Sequence, residues 1–545
     1  MQPIEIYDTT LRDGSQGEGI SFSLDDKLKV LQCLDTFRID YVEGGWPGSN
    51  PKDIDFFLAA HDVPLAHTRV AAFGSTRRPQ VAAEDDTNLK ALVAAKTPVV
   101  TIFGKSWTLH VKEVFRTTLE ENLKMIGDSV RFLKAQGLHV IYDAEHYFDG
   151  YKADASYALE TLVAAAEAGA NCLVLCDTNG GTLPRELTAL FAEARRKVPS
   201  CDFGIHAHND SGVATANSLA AVEEGAVQVQ GTFNGLGERC GNADLAVIIP
   251  NLLLKLERKL SIGADSLAQL THTSRFVMAT ANQAFRENQP FVGQMAFAHK
   301  GGVHVNSVMK LAQTYEHIEP KEVGNTRRFL VSELSGRSNM QAIAGAEGLD
   351  VSRHPDALKE AVQEIKRLEN EGHVFEGAEA SATLIMLRHM NRVPEFFELV
   401  RYRTAAEHRS HGGTFTEASV KIRVGERTQL AVGEGAGPVD ALDRALRNAI
   451  REFYPEVDDI SLTDYKVRII NAAEHTHAKV CVSISSFDKT RNALWGTVGA
   501  NENIIEASWD ALRDSFVYGL AHRRTNAFAE AEAEAGSEIA PSVGG

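Results

Sequence analysis

The stretch HVIYDAEHYFDGYKADASYALETLVAAAEAGANCLVLCD, residues 139–177, holds the unit from which the fold can be read. A short apolar run, His139–Tyr142, ends in the polar cluster Asp143, Glu145 and His146. An amphipathic stretch, Tyr157–Ala168, follows and stops near Gly169. A second apolar run, Cys172–Cys176, then ends in Asp177 and Thr178. Two strands joined by a helix-length connector imply parallel pairing, because parallel neighbours need a long crossover.

The same unit recurs on either side. The remaining apolar runs are Ile4–Tyr7, Ile39–Val42, Arg69–Phe73, Val99–Phe103, Phe203–Ala207 and Ala226–Gly231, which makes eight. Eight strand–helix units in about 245 residues is the arithmetic of a (β/α)8 TIM barrel. An open doubly wound sheet is the alternative that the same alternation allows. Ser23 is placed to cap a helix over Leu24–Leu34.

Beyond the barrel the pattern changes. Residues 246–415 read as mostly helical, with Ala357–Glu369 amphipathic, an HKGGVH turn at 299–304 and a polar linker at Glu407–Gly413. Residues 418–522 carry a weak repeat. ASVKIRV and TQLAV lead to GEGAGP and a helix from Val439; AKVCVSI and ALWGTV lead to GANEN and a helix containing Asp510–Leu512. The expected class is therefore α/β, a TIM barrel over 1–270. Helical linker subdomains over 271–415 contribute a loop to the active site. An α+β regulatory domain spans 416–525, and an acidic low-complexity tail 526–545.

Composition bounds the partners. Of 545 residues, 44% are hydrophobic and 24% charged, as in an ordinary globular protein. No apolar run is long enough for a membrane span, and the N-terminus has no secretion signal. Lysine plus arginine is 56 against 73 acidic residues, a net charge of −17, which disfavours nucleic-acid binding. Six scattered cysteines without a CxxC pair read as reduced thiols, hence a cytoplasmic protein.

In a TIM barrel the active site lies at the C-terminal strand ends, and the polar residues gather there: Arg12 and Asp13, Glu43, Asp143 and Glu145, Asp177 and Thr178, His206 and His208, Asn234 and Asn242. His206 and His208, two apart on a strand, share a face. With Asp13 and Asn242 they make a site for a divalent cation with positions left for substrate. The bland reading is one core and one surface histidine, the reading given to His475 and His477, which have no carboxylate cluster around them. Arg12 is placed to steady an enolate or polarise a carbonyl, unless it is a structural ion pair. Glu145 is an acid–base candidate, and His304 could complete a site from a loop. Cys172 and Cys176 read as core.

Three motifs in order carry a resemblance: Asp8–Gln16 with Lys27, Ile205–Gly212 and Asn234–Asn242. They resemble the signatures of the 2-isopropylmalate, homocitrate and citramalate synthase family. The resemblance runs over nearly the whole chain, and Glu43–Pro51 looks most like the citramalate branch. It implies a homodimeric acyltransferase that condenses acetyl-CoA with a 2-oxo acid, pyruvate in that branch and 2-oxoisovalerate in the leucine-pathway alternative. Carried over, Asp13, His206, His208 and Asn242 hold magnesium, manganese or zinc. Arg12 bonds the keto oxygen and Thr178 the carboxylate. Asp143 and Phe103 line the acyl pocket, with Phe73 or Phe103 excluding a branched acid. Glu145 and His304 serve enolisation and hydrolysis. Isoleucine is the expected effector at the C-terminal domain. A lyase on a similar barrel and an amino-acid sensor with a decayed barrel are the rival classes.

Overall fold

The computed structural model describes residues 2–331, 337–349, 351–393, 395–409, 413–470 and 478–523. They form two compact units. The first runs to Phe297 and takes in Ile318–Thr326; the second comprises Ala298–His317 and the chain from Arg327 onward.

The first unit is built on eight parallel strands: β1 (Glu5–Asp8), β2 (Tyr41–Gly45), β3 (Arg69–Ser75), β4 (Val99–Lys105), β5 (His139–Glu145), β6 (Cys172–Asp177), β7 (Asp202–Ala207) and β8 (Gln228–Gly231). They are hydrogen-bonded in sequence order, and β8 pairs back onto β1, so the barrel closes and the open-sheet alternative falls. Inward-facing Tyr7, Tyr41, Ile141, Val174, Cys172 and Cys176 fill its interior, which places both cysteines in the core as expected. Helices cover the outside because their apolar stripes need the strands' outer faces. The helix Leu24–Phe37 starts at Ser23, whose side chain accepts the Asp26 backbone N–H in a capping box. The helix Ala155–Glu167 stops before Gly169, which is left-handed at φ 97°.

The barrel unit reaches further than the expected boundary at 270. Residue 270 opens the helix Leu270–Thr280, and its Leu270, Val277 and Met278 belong to the barrel's own hydrophobic core.

In the second unit a two-residue parallel pair joins β9 (Ala298–His299) to β10 (Arg328–Phe329). The helices Gly302–Lys310, Pro355–Asn370 and Glu379–His389 follow the expected helical character. The region is not helical to 415, however. β11 (Glu398–Arg409) pairs antiparallel with β12 (Gly413–Val424), and β12 with β13 (Arg427–Gly435). Of the segment read as a linker at 407–413, Glu407–Arg409 close β11 and Gly413 opens β12, the rest lying outside the described residues, and the boundary at 415/416 falls inside β12. Many β11 positions face solvent, so the strand lacks the apolar alternation that would have marked it. β14 (Ile460–Ile469), β15 (Val480–Asp488) and β16 (Ala493–Asn501) repeat the arrangement. Each sheet leads into a helix, Pro438–Ile450 and Ile504–Arg523. The repeat thus has three strands per copy where the sequence reading found two. His475, His477 and the tail from 526 lie outside the described residues. No helix among the described residues is long and apolar enough to cross a membrane.

Candidate active site

At the C-terminal mouth of the barrel a cavity of about 250 Å³ is lined by residues from β1 to β8 and the loops after them. Arg12, Asp13, Phe103, Asp143, Glu145, Thr178, His206 and His208 all border it. Asn242 lies opposite His208 in an isolated antiparallel bridge. His304 belongs to the second unit. It sits in the first turn of the helix Gly302–Lys310 rather than in a turn, is exposed, and stacks on Tyr315 at 4.3 Å.

The metal candidates converge. Ligand atoms of Asp13, His206 and His208 lie within 4.8 Å of one another, and all three residues are buried. Asp13 Oδ2 is 3.3 Å from His206 Nε2 and 4.0 Å from His208 Nε2. Asp13 Oδ1 and Asn242 Oδ1 are buried with no hydrogen-bond partner among the described residues. Buried oxygens left unpaired are costly unless something else fills the coordination, so the donor set fits a divalent cation. Burial opposes the ionisation of Asp13, but Arg12, His206 and His208 outweigh it and hold the carboxyl well below its usual range. Burial, helped by the neighbouring His206, pushes His208 down to about 3. It is therefore a neutral imidazole, the form that ligates. Asn242 owes its position to Gly241. With φ at 85° and a would-be Cβ 1.9 Å from the Gly235 carbonyl oxygen, that position admits glycine only.

Around these residues stands a layer of contacts, which adds Tyr7, Trp46, Lys105 and Gln230 to the residues expected from the sequence. Glu43, fully buried on β2, accepts from Arg12 Nε at 2.6 Å and from the Tyr7 hydroxyl at 2.8 Å. Arg12 is thus part of an ion pair, and it still borders the cavity, so the structural and functional readings of this residue coexist. Gln230 Oε1 is 2.9 Å from His206 Nδ1, and Gln230 Nε2 donates to Asp143 Oδ1 at 3.1 Å. Burial raises the Asp143 carboxyl to about 7. Lys105 is ion-paired with Glu145. Thr178 Oγ1 accepts the His146 backbone N–H at 2.8 Å. Phe103 stacks on Phe73 at 5.5 Å, and Trp46 meets both edge-on at 5.6 and 5.8 Å. The Arg12 guanidinium lies 3.8 Å over the Phe73 ring. Register would have found two of these: Gln230 is the β-partner of His206, and Lys105 of Glu145.

A closed parallel barrel with a buried Asp–His–His cluster at its C-terminal mouth defines the class, and residues 3–277 match the HMGL-like family. Residues 291–373 match the homocitrate synthase post-HMGL domain-like family and 376–520 the LeuA allosteric (dimerisation) domain. Among curated relatives, the (R)-citramalate synthase of Aquifex aeolicus is 51% identical over 95% of this chain and 98% of its own. That of Geobacter sulfurreducens is 50% identical over 95% and 98%. A probable 2-isopropylmalate synthase of Methanopyrus kandleri is 33% identical over 96% and 99%. The chain belongs to the (R)-citramalate synthase family.

Proposed function

We propose that this chain condenses acetyl-CoA with pyruvate and hydrolyses the thioester, giving (R)-citramalate and CoA, the first step of a pyruvate route to isoleucine. The observation that carries this is the relatedness: the (R)-citramalate synthases match at 42–51% identity and the 2-isopropylmalate synthases at 29–33%.

Asp13, His206, His208 and Asn242 would hold the cation, magnesium, manganese or zinc. When bound it supplies a Lewis acid for the keto group of the 2-oxo acid. With its Nε committed to Glu43, Arg12 turns its remaining N–H groups to the keto oxygen, where negative charge develops as the new carbon–carbon bond forms. Thr178, accepting from the His146 backbone, donates its hydroxyl proton to the substrate carboxylate. Glu145, at the cavity, serves as an acid–base group, and the resemblance gives a second such role to His304. One proton leaves the acetyl methyl, one reaches the new alkoxide, and water then displaces the CoA thiolate from the citramalyl thioester. His304 enters this reading only through the family resemblance.

The LeuA-type domain is read as the dimerising and feedback region, with isoleucine as effector. A cavity of about 710 Å³ between the helix Pro438–Ile450 and β14 supports this. Asp440, Asp443, Arg447 and Arg451 offer both charges of a zwitterion, and Val439, Ile460 and Leu462 offer an aliphatic lining. All six cysteines are free thiols, which suits the cytoplasm.

The test is thiol release from acetyl-CoA with magnesium or manganese against pyruvate, 2-oxobutyrate, 2-oxoisovalerate and 2-oxoglutarate. Release fastest with pyruvate is expected. Release fastest with 2-oxoisovalerate would move the chain to 2-isopropylmalate synthesis, and none with any acid would overturn the condensation itself.

A further inference from the structure

The aromatic side of the cavity consists of Trp46, Phe73 and Phe103; apart from Cys176, the remaining lining is polar. The alkyl group of a bound 2-oxo acid therefore goes against these rings. Two of the three have a cation over the ring. The Arg12 guanidinium lies over Phe73, and the Lys105 ammonium is 5.1 Å from the centre of Phe103. Among the described residues no cation lies over Trp46.

Trp46 is instead anchored from outside the cavity at both ends. Its backbone N–H donates to Asp53 Oδ2 at 2.9 Å, and Asp53 is gripped in turn by the buried Lys27 ammonium at 2.6 Å. Lys27 also donates to the Gly44 carbonyl at 2.8 Å. The indole Nε1–H donates to Asn88 Oδ1 at 2.7 Å, and the Asn88 amide donates to the Ser75 carbonyl at 2.7 Å. Gly45, at φ 149°, lets the chain pass the Asp53 carboxyl, which a Cβ would meet at 2.4 Å. The stretch from Glu43 to Trp46 is shaped to deliver one indole ring at one height.

From this geometry we infer that Trp46 sets the upper size of the 2-oxo acid, with Asn88, Asp53 and Lys27 as its positioning residues. The inference rests on the condensation reading above and names what limits its substrate. One added methylene changes kcat/KM by roughly 10- to 200-fold in a tight apolar pocket.

The experiment compares kcat/KM for pyruvate and 2-oxobutyrate in the wild type, Trp46→Leu, Trp46→Phe, Asn88→Ala and Phe103→Leu, each checked for folding by thermal unfolding. Trp46→Leu is expected to lower the pyruvate-to-2-oxobutyrate ratio by about 10-fold or more, chiefly through KM for the larger acid. Asn88→Ala should shift the ratio the same way by less, and it carries the test if the Trp46 variants do not fold. A wild type inactive with pyruvate would overturn the pyruvate reading on which this inference rests. A wild type active with pyruvate, beside an unchanged ratio in every folded Trp46 and Asn88 variant, would overturn this inference alone. A ratio moved only by Phe103→Leu would assign the limit to Phe103.

Discussion

His206 Nδ1 and Gln230 Oε1 face each other at 2.9 Å across paired strands β7 and β8. The amide oxygen can only accept, so Nδ1 donates to it and Nε2, which faces Asp13 at 3.3 Å, is the nitrogen turned to the candidate metal site. Partners that orient a metal-bound histidine are commonly worth 10- to 100-fold in metal affinity. Gln230→Leu is therefore expected to weaken manganese binding by about that factor, while His206→Ala abolishes it. Manganese titrations followed by thermal shift, with a chelator-treated baseline, measure both; equal affinity in Gln230→Leu would show that the amide does not orient the ring.

The Arg12–Glu43 pair makes a second prediction. Glu43 is buried and also accepts from Tyr7 and Thr9. Glu43→Gln removes the charge that holds the guanidinium while leaving one acceptor oxygen. Turnover should fall by ~10²-fold, the range for losing one well-aimed donor to a developing oxyanion. Stability should fall by about 3 kcal/mol, because the buried guanidinium loses the nearer of its two carboxylate partners and keeps only Asp13 at 3.4 Å. Steady-state kinetics and urea unfolding read the two effects separately. Full activity in a folded Glu43→Gln protein would mean that Arg12 does not need Glu43 for its alignment.

Much of this was legible in the sequence because the barrel repeats a unit that local chemistry marks. Apolar runs such as Val99–Phe103 became strands with ends displaced by at most a few residues. Arg12, Asp13, His206 and His208 could be found because they lie at the ends of those runs or within a few residues after them. Lys105 and Gln230 act through residues on neighbouring strands, and only register reveals such neighbours. β11 and β14 were missed for a different reason. In β11 most positions face solvent, and in β14 a register shift between Leu462 and Asp464 breaks the apolar alternation, leaving Leu462, Val467 and Ile469 exposed.

Asp8 makes stability depend on pH. Burial raises its carboxyl from an ordinary 3.8 to about 7, although Thr10 donates to it from both backbone and hydroxyl. A folded pKa raised above the unfolded one favours the native state most fully below about pH 4. That advantage disappears as pH rises through 7, a loss of at most about 4 kcal/mol. Asp8→Asn, neutral at every pH, removes this dependence. Denaturant unfolding at pH 5 and pH 8 should show the variant gaining on the wild type at the higher pH. Parallel pH profiles would mean that Asp8 is already ionised in the fold.

Lys105 and Glu145 end adjacent strands as register partners and form an ion pair beside the cavity. If Glu145 handles the acetyl proton, Lys105 is what holds its carboxylate in place. Removing either group should then cost much the same turnover. Groups that act as one unit are strongly non-additive. Lys105→Met should lower kcat by ~10²-fold, the scale of losing a positioned acid–base group. The double variant with Glu145→Gln should be no slower than Glu145→Gln alone. Single-turnover thiol release in the four proteins gives the coupling, expected at about 1–3 kcal/mol. Penalties that simply add would separate the two residues, leaving Lys105 as support for the Phe103 wall that its ammonium overlies.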